Sequence, residues 1–323
     1  MMRKLGCFGL LIVVCAFVAL FIIVQDWGGR GPAPKNLTFE VAEGSTLINT
    51  ADRLEKAGAI PSAMRFKLLA RVFGASTPIK AGEYRIPAHL SQADILKMLQ
   101  GGRTLQRFVT IPEGMPSALV KDRVMATQGL IGKVKDPIEG TILPDSYSFQ
   151  RGDERPAMVA RMQRAMVKYL AMAWENRKPG IAVTTPREAL ILASIVEKET
   201  SKAEERRLVA AVYSNRLRRN MMLQADPTII YPITKGRPLG RRILASEIRA
   251  KNAYNTYAMT GLPAGPICNP GRASIDAVLD PEQSSALYFV ADGTGGHAFA
   301  DTLEQHNANV QKWYAIRRER GER

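Results

Sequence analysis

Residues 5–24 read LGCFGLLIVVCAFVALFIIV, 20 positions without a charge. A helix of that length matches the hydrocarbon core of a bilayer, about 30 Å thick, and so limits what the rest of the chain can be. Arg3 and Lys4 precede it. The positive-inside rule then keeps residues 1–4 in the cytoplasm and sends everything after the span across the membrane. The competing reading is a cleaved signal peptide. Against it, the run is long for a signal core and no A-x-A cleavage pattern follows. Gln25, Asp26 and Trp27 come next, and Trp27 suits an interfacial anchor. Cys15 follows Ile12, Val13 and Val14, which lack the small residue that a lipid-attachment site wants. The expectation is a single-pass anchor with the bulk of the chain outside the cytoplasm.

The net charge is +15; two units sit on Arg3 and Lys4, and the remaining +13 lies beyond the span. Such a surface attracts an anionic partner. Genomic nucleic acid is excluded by the topology, which leaves cell-wall polymer and membrane surface. Cys7 and Cys15 lie inside the span and Cys268 is the one cysteine outside it. No intramolecular disulfide is available there, so the external part must be held by its own core.

Residues 25–36 form a Gly/Pro-rich linker ahead of two expected domains. Residues 37–103 read as a small α+β module. A strand at 37–42 leads to a helix at 46–56, and Pro61 opens a second helix bearing Phe66, Leu68, Leu69 and Val72. A strand at 81–87 and a third helix at 91–100, capped by Ser91, follow. The order is similar to LysM, a sugar-binding module; a spacer or docking domain with no sugar affinity is the alternative. Residues 104–323 read as a larger α+β domain. It begins with a strand in LQRFVTI, passes a loop and short strand at 136–152, and enters an amphipathic helix at 156–174. The methionines of that helix, Met158, Met162 and Met166, recur at i+4 and read as core. The last helix is expected to start at Asp301 with Glu304 as its capping partner. No internal repeat and no low-complexity block is present.

Residues 184–231 are the most informative. Thr185, Pro186 and Glu188 make a helix start, and the helix reads REALILASIVEKET. With Ala189 at zero and about 100° per residue, Leu192 and Val196 fall on a buried side at about 300–340°. Arg187, Ser194 and Lys198 fall at about 140–180° and define a wet side. Glu199 lands at about 280° and Glu197 at about 80°. Glu199 is therefore the carboxyl nearer the buried side. Burial disfavours its charged form and raises its pKa, the property a general acid needs near neutral pH. Glu197 reads as a structural partner for a nearby arginine.

Other segments carry polar groups suited to sugar. LQADPT offers Gln224, Asp226 and Thr228, or else a turn built on Asp-Pro. AYNTY offers Tyr254, Asn255, Thr256 and Tyr257, or else an exposed turn. GLPAGPICNPG is a stiff loop able to line a cleft. YFVADGTGGHAF reads as strand, turn and strand, with the turn at 292–296. The chain lacks a nucleophile elbow, a GxGxxG and a P-loop, and His297 and His306 lack companions at metal-ligand spacing. No metal and no cofactor is expected.

Taken together, IPEG (111–114), EGTILPDSY (139–147), LASIVEKET (192–200), NRL (215–217), LQADPT (223–228), AYNTY (253–257), GLPAGPICNPG (261–271), YFVADGTGGHAF (288–299) and HN (306–307) resemble the membrane-anchored endolytic murein transglycosylases, a family also described as aminodeoxychorismate-lyase-like. The resemblance runs from the apolar span to the last helix. Its one departure is Ala264 where a second proline is common. It implies a lytic transglycosylase that cuts the MurNAc–GlcNAc bond of peptidoglycan glycan strands and leaves 1,6-anhydro ends. Glu199 would be its single acid and base. Asn269 and His297 join the four residues of AYNTY and Gln224, Asp226 and Thr228 as expected substrate contacts. The resemblance further implies an inner-membrane protein with a periplasmic catalytic domain that limits strand length, and cell-wall synthases as partners. Two alternatives stand beside it: a non-enzymatic peptidoglycan-binding scaffold, and a hydrolase pairing Glu199 with Asp226 or Asp145.

Overall fold

The structure is a computed structural model that describes residues 14–15, 17–18, 21–74 and 76–321. Most of the span expected at residues 5–24, with Cys7 and the tail at 1–4, lies outside the described residues. No helix among the described residues is long and apolar enough to cross a membrane. The chain forms two compact α+β units, divided between Arg107 and Phe108.

The first unit is a strand–helix–helix–strand–helix unit: β1 (Leu37–Val41), α1 (Leu47–Lys56), α2 (Ala63–Phe73), β2 (Gly82–Ile86) and α3 (Gln92–Gly101). β1 and β2 pair antiparallel, with Phe39 opposite Tyr84 and Leu37 opposite Ile86. Alternation puts Phe39, Val41, Tyr84 and Ile86 on the inner face, where they meet Leu54, Phe66, Ile95 and Leu99 of the three helices. Each helix begins on a hydroxyl that accepts an otherwise unpaired N–H: Thr46 from Asn49, Ser62 from Arg65, and Ser91 from Asp94. Ser62 thus caps α2, whose first residue is Ala63, two after the expected Pro61, because a proline has no side-chain acceptor to offer. The buried Tyr84 hydroxyl donates to the Lys80 and Leu99 carbonyls at 2.7 and 3.2 Å, so its burial leaves nothing unpaired. Arg107 belongs to this unit through a two-pronged bond to the buried Glu83 carboxylate, at 3.0 and 3.1 Å.

The second unit starts at Phe108, within β3 (Arg107–Ile111), and continues through α4 (Ser117–Ala126), β4 (Asp145–Phe149), α5 (Arg155–Glu175), α6 (Pro186–Glu199), α7 (Arg206–Arg218), α8 (Pro227–Thr234), α9 (Ala245–Ile248), α10 (Arg272–Leu279), β5 (Tyr288–Ala291), β6 (His297–Ala300) and α11 (Leu303–Glu319). β3 pairs with β4, and β5 with β6 in an antiparallel hairpin. Val109, Ile111, Val120, Ile142, Phe149, Met158 and Met162 form one core. A larger one surrounds α6 and includes Met166, Leu192, Val196, Val209, Tyr213, Ile267 and Val278. The α5 methionines therefore serve both cores, as their spacing predicts. The start of α11 differs from expectation. Thr302 caps it and Gln305 reaches back to the Thr302 N–H. A capping box needs a hydroxyl and a Gln or Glu three residues on, and Thr302 with Gln305 meets that condition where Asp301 with Glu304 does not.

Three of the sequence motifs meet behind α6. Asn269 is fully buried. Its side chain accepts from the Ile142 N–H at 2.9 Å and donates to the Met115 carbonyl at 2.8 Å, while its carbonyl accepts from Gly114 N–H at 2.9 Å. Glu139 beside it accepts from the Ser117 N–H at 2.9 Å, and burial raises its pKa. Gly140 sits at φ 80° against Pro266, where an added Cβ would come within 2.6 Å of the ring, so both its conformation and the contact require glycine. IPEG, EGTILPDSY and GLPAGPICNPG are thus one bracket for α6, the helix described next.

Candidate active site

α6 begins as its sequence indicates. Thr185 accepts from the Glu188 N–H at 3.1 Å, and the Glu188 carboxylate accepts from the Thr184 N–H at 2.6 Å. Beyond the first turn the helix departs from the expected two-sided pattern. Every residue from Ala189 to Val196 is buried, Ser194 included. Ser194 lies on the supposed wet side, yet its hydroxyl donates to the Ile191 carbonyl at 2.7 Å and accepts from Ile267 N–H at 3.0 Å. The reason is packing on several sides, by α5, α7, α8 and α10 together with the 261–271 loop. A helix enclosed in this way must be apolar or internally satisfied all round.

The last turn of α6 carries both carboxylates, and their surroundings differ. Among the described residues no arginine pairs with Glu197. Its Oε2 accepts from the Gly271 N–H at 2.9 Å and from the Ser274 hydroxyl at 2.7 Å, at the N-terminus of α10. A carboxylate there satisfies a free helix N–H and complements the helix dipole. Both bonds go to one oxygen. Glu197→Gln should therefore keep them and change stability little, whereas Glu197→Ala should lose about 1–2 kcal/mol in urea unfolding, as capping losses do. Equal stabilities for the two variants would show that the bonds contribute nothing.

Glu199 opens instead into a cleft of about 610 Å3. Among the described residues its enclosed Oε1 has no hydrogen-bond partner, while its carboxyl accepts from the Tyr213 hydroxyl. Burial raises its pKa to about 7, offset in part by the Tyr213 bond and the Arg216 charge and reinforced by Asp226. Tyr213 is wholly buried, which pushes its own pKa well up and keeps it a proton donor. Arg216, also buried, holds the floor together. Its guanidinium donates to the carbonyls of Leu287 (2.7 Å), Met222 (3.1 Å) and Leu223 (3.0 Å), and to the Gln224 side chain at 3.1 Å.

Gln224, Asp226 and Tyr257 share this cleft with Glu199. Gln224 has φ 55°, a left-handed conformation that a non-glycine residue rarely adopts; its N–H is held by the Thr256 carbonyl at 3.1 Å. Asp226 opens α8 without capping it, and its carboxylate accepts from the Tyr257 hydroxyl at 2.6 Å.

The remaining residues expected at the site lie elsewhere. Thr228 and Thr256 are fully buried and bond to each other at 2.8 Å. Asn255 is buried and its amide donates to the carbonyls of Glu247, Ile248 and Ala250. AYNTY is therefore an interior corner, of which Tyr257 alone reaches the cleft. Tyr254 packs on Tyr231 at 4.9 Å. Asn269 is used in the bracket behind α6. His297 bonds Glu205 through Nδ1 at 2.8 Å and rests edge-on against Phe289. Asp145 is bound to Arg272 at 2.8 Å, which lowers its pKa, and does not line the cleft. Among the described residues no group of three His, Cys, Asp or Glu is placed to hold a metal ion.

Sequence reasoning missed Tyr213 and Arg216, and the wall contributed by α11. His306, Val310, Trp313, Tyr314 and Arg317 all line the cleft. Their spacing of four, three, one and three marks one helix face, and it was the available signal. His306 stacks on Tyr288 at 5.2 Å, burial and Arg216 lower its pKa, and its enclosed Nδ1 has no partner. An enclosed acid that is half protonated near neutrality, beside aromatic rings and polar side chains, is equipped to donate a proton to a bound polyhydroxylated molecule.

Comparison with known proteins agrees in class. The model of the YceG-like family matches residues 39–312, and the chain belongs to that family. It is 30% identical over 325 residues to the endolytic murein transglycosylases of Streptococcus pneumoniae strains R6 and D39, covering 85% of this chain. The chain spans 58% of the length of those two relatives. It is 27% identical over 321 residues to the endolytic murein transglycosylase of Bacillus subtilis, covering 88% of this chain and 86% of that one. In structure it is similar to a yceG-like protein of Listeria monocytogenes, with a TM-score of 0.55 and 27% identity, over 85% of this chain and 98% of that one.

Proposed function

We propose that the chain is an endolytic lytic transglycosylase that cuts the MurNAc–GlcNAc bond within peptidoglycan glycan strands. The observation that carries this reading is the Glu199 carboxyl, enclosed in the cleft with its pKa raised to about 7. The names of the pneumococcal and Bacillus relatives support the substrate class.

In the proposed reaction protonated Glu199 gives its proton to the glycosidic oxygen, and the bond from that oxygen to C1 of MurNAc breaks. The Glu199 carboxylate then takes the proton of the same sugar's C6 hydroxyl, whose oxygen closes on C1. Proton count and bond count balance without water, and the nucleophile is already held in the substrate. Tyr213 donates to whichever oxygen of Glu199 carries charge. Asp226, held by Tyr257, adds to the burial that raises the Glu199 pKa. Gln224 and Tyr257 bind sugar on one side and Trp313 stacks a ring on the other, aromatic faces being suited to the apolar faces of pyranoses.

The apolar run at residues 5–24 is the proposed single-pass anchor, with the catalytic unit on the periplasmic side of the inner membrane. There it would meet nascent strands, limit their length and work beside cell-wall synthases. The first unit, LysM-like in its order of elements, is the proposed glycan-holding module. One observation favours a second reading: Asp226 shares the cleft with Glu199, as a hydrolase with two carboxylates would require.

The test is incubation of the purified full chain with isolated, uncrosslinked glycan strands. Internal cuts and fragments ending in 1,6-anhydroMurNAc are expected by mass spectrometry. Strands bound but left intact would favour the scaffold alternative.

A further inference from the structure

α2 carries an apolar ridge that the fold does not use. Met64, Leu68 and Val72 stand at steps of four and are 78%, 61% and 65% exposed, although Phe66 and Ala70 on the opposite side are buried. The charged residues of α2 are Arg65, Lys67 and Arg71, all basic, and they flank the ridge. An apolar stripe edged with cations is the pattern of a helix that lies in a lipid–water interface.

A second observation fixes where this helix sits along the chain. The apolar run ends at Val24, and the residues just after it are fastened to α2. Asp26 pairs with Arg65 at 3.3 Å, and Trp27 packs on Phe66 and Phe73 with ring centroids 5.7 and 6.4 Å away. The Asp26 carbonyl also accepts from the Gln92 amide at 2.5 Å. Two residues of chain reach at most about 7 Å. Arg65 is the neighbour of Met64, so the ridge begins within about a side chain's length of the point where the run ends.

We propose that the α2 ridge rests on the bilayer, with Met64, Leu68 and Val72 in the acyl boundary and Arg71 at anionic lipid headgroups, Arg65 and Lys67 being paired with Asp26 and Asp52. The proposal builds on the single-pass anchor and adds a second membrane contact. It makes the first unit a foot planted on the membrane in place of a bead on a free tether. The linker at residues 25–36 is then an ordered junction at its start.

The test uses the full chain in nanodiscs of phosphatidylcholine and phosphatidylglycerol, with Cys7 and Cys15 replaced by alanine and buried Cys268 kept. A fluorophore is placed at Leu68→Cys or, as a control, at exposed Glu55→Cys on α1. Lipids brominated near the headgroup end of the acyl chain should quench the Leu68 probe several-fold more than the Glu55 probe. Adding Met64→Glu and Val72→Glu, both at exposed positions, should abolish that difference while the chain stays in the disc. Equal quenching at the two positions overturns the proposal. So does a Leu68 probe that is shielded from aqueous iodide but not quenched by lipid, since a protein partner or second copy would then cover the ridge. A chain that does not remain with the discs overturns the anchor, and the docking with it, whereas retention without quenching overturns the docking alone.

Discussion

Glu199→Gln is expected to lower strand cleavage by roughly 10²–10⁴-fold or more, the range for loss of a general acid–base group. The amide keeps the size of the carboxyl and can still accept from Tyr213, but it has no proton to give and no charge with which to take one back. Substrate binding should persist, because Gln224, Tyr257 and Trp313 are untouched. Glu197→Gln should stay within a few-fold of wild type. Its Oε2 bonds to Gly271 and Ser274 hold α10 and are available to a glutamine oxygen. Initial rates on glycan strands separate the two, and comparable losses in both would remove Glu199 from its assigned role.

The same substitution should stabilise the protein in alkaline solution. The Glu199 pKa is about 7 in the folded chain against an ordinary value of 4.5. A raised acid is neutral in both states below pH 4.5. Between there and pH 7 the unfolded chain sheds its proton while the folded chain holds it, so folded stability falls as pH rises through that window and levels off above it. The shift corresponds to about 3 kcal/mol. Glutamine carries no such penalty. Urea unfolding should place the Glu199→Gln variant above wild type by up to about 3 kcal/mol at pH 8, with the gap closing toward pH 4.5. A gap that does not vary with pH would mean that the carboxyl is not desolvated. The pairing of lost activity with gained stability is the expected mark of a site where solvation is given up for chemistry.

How much of this was legible in the sequence depended on range. Local rules found the elements: hydroxyl caps at Ser91 and Thr185, the methionine period in α5, and the hairpin turn at 292–296. They also ranked Glu199 above Glu197, because a 100° step puts Glu199 near Leu192 and Val196. The same wheel failed at Ser194. One helix read alone has a wet side by default, and only the arrival of the 261–271 loop, 73 residues away at the Ile267–Ser194 bond, closes it. The polar motifs misled in the same way. Asn255, Thr256, Thr228 and Asn269 look like sugar ligands in a string of residues. They are polar because buried loop backbone needs side-chain partners, and loops of that kind cannot satisfy themselves. Tyr213, Arg216 and the α11 face were missed because each becomes part of the site only when elements far apart in sequence converge on one cleft.

In the proposed reaction a single acid cleaves the strand without water. This is tested most directly by digesting purified glycan strands with the full chain in water labelled with heavy oxygen and weighing the new MurNAc ends. Anhydro ends are expected, lighter than hydrolysed ends by one water and carrying no label. Reducing ends that contain the heavy oxygen would contradict the proposed reaction and would turn attention to Asp226 as the second carboxylate of a hydrolase.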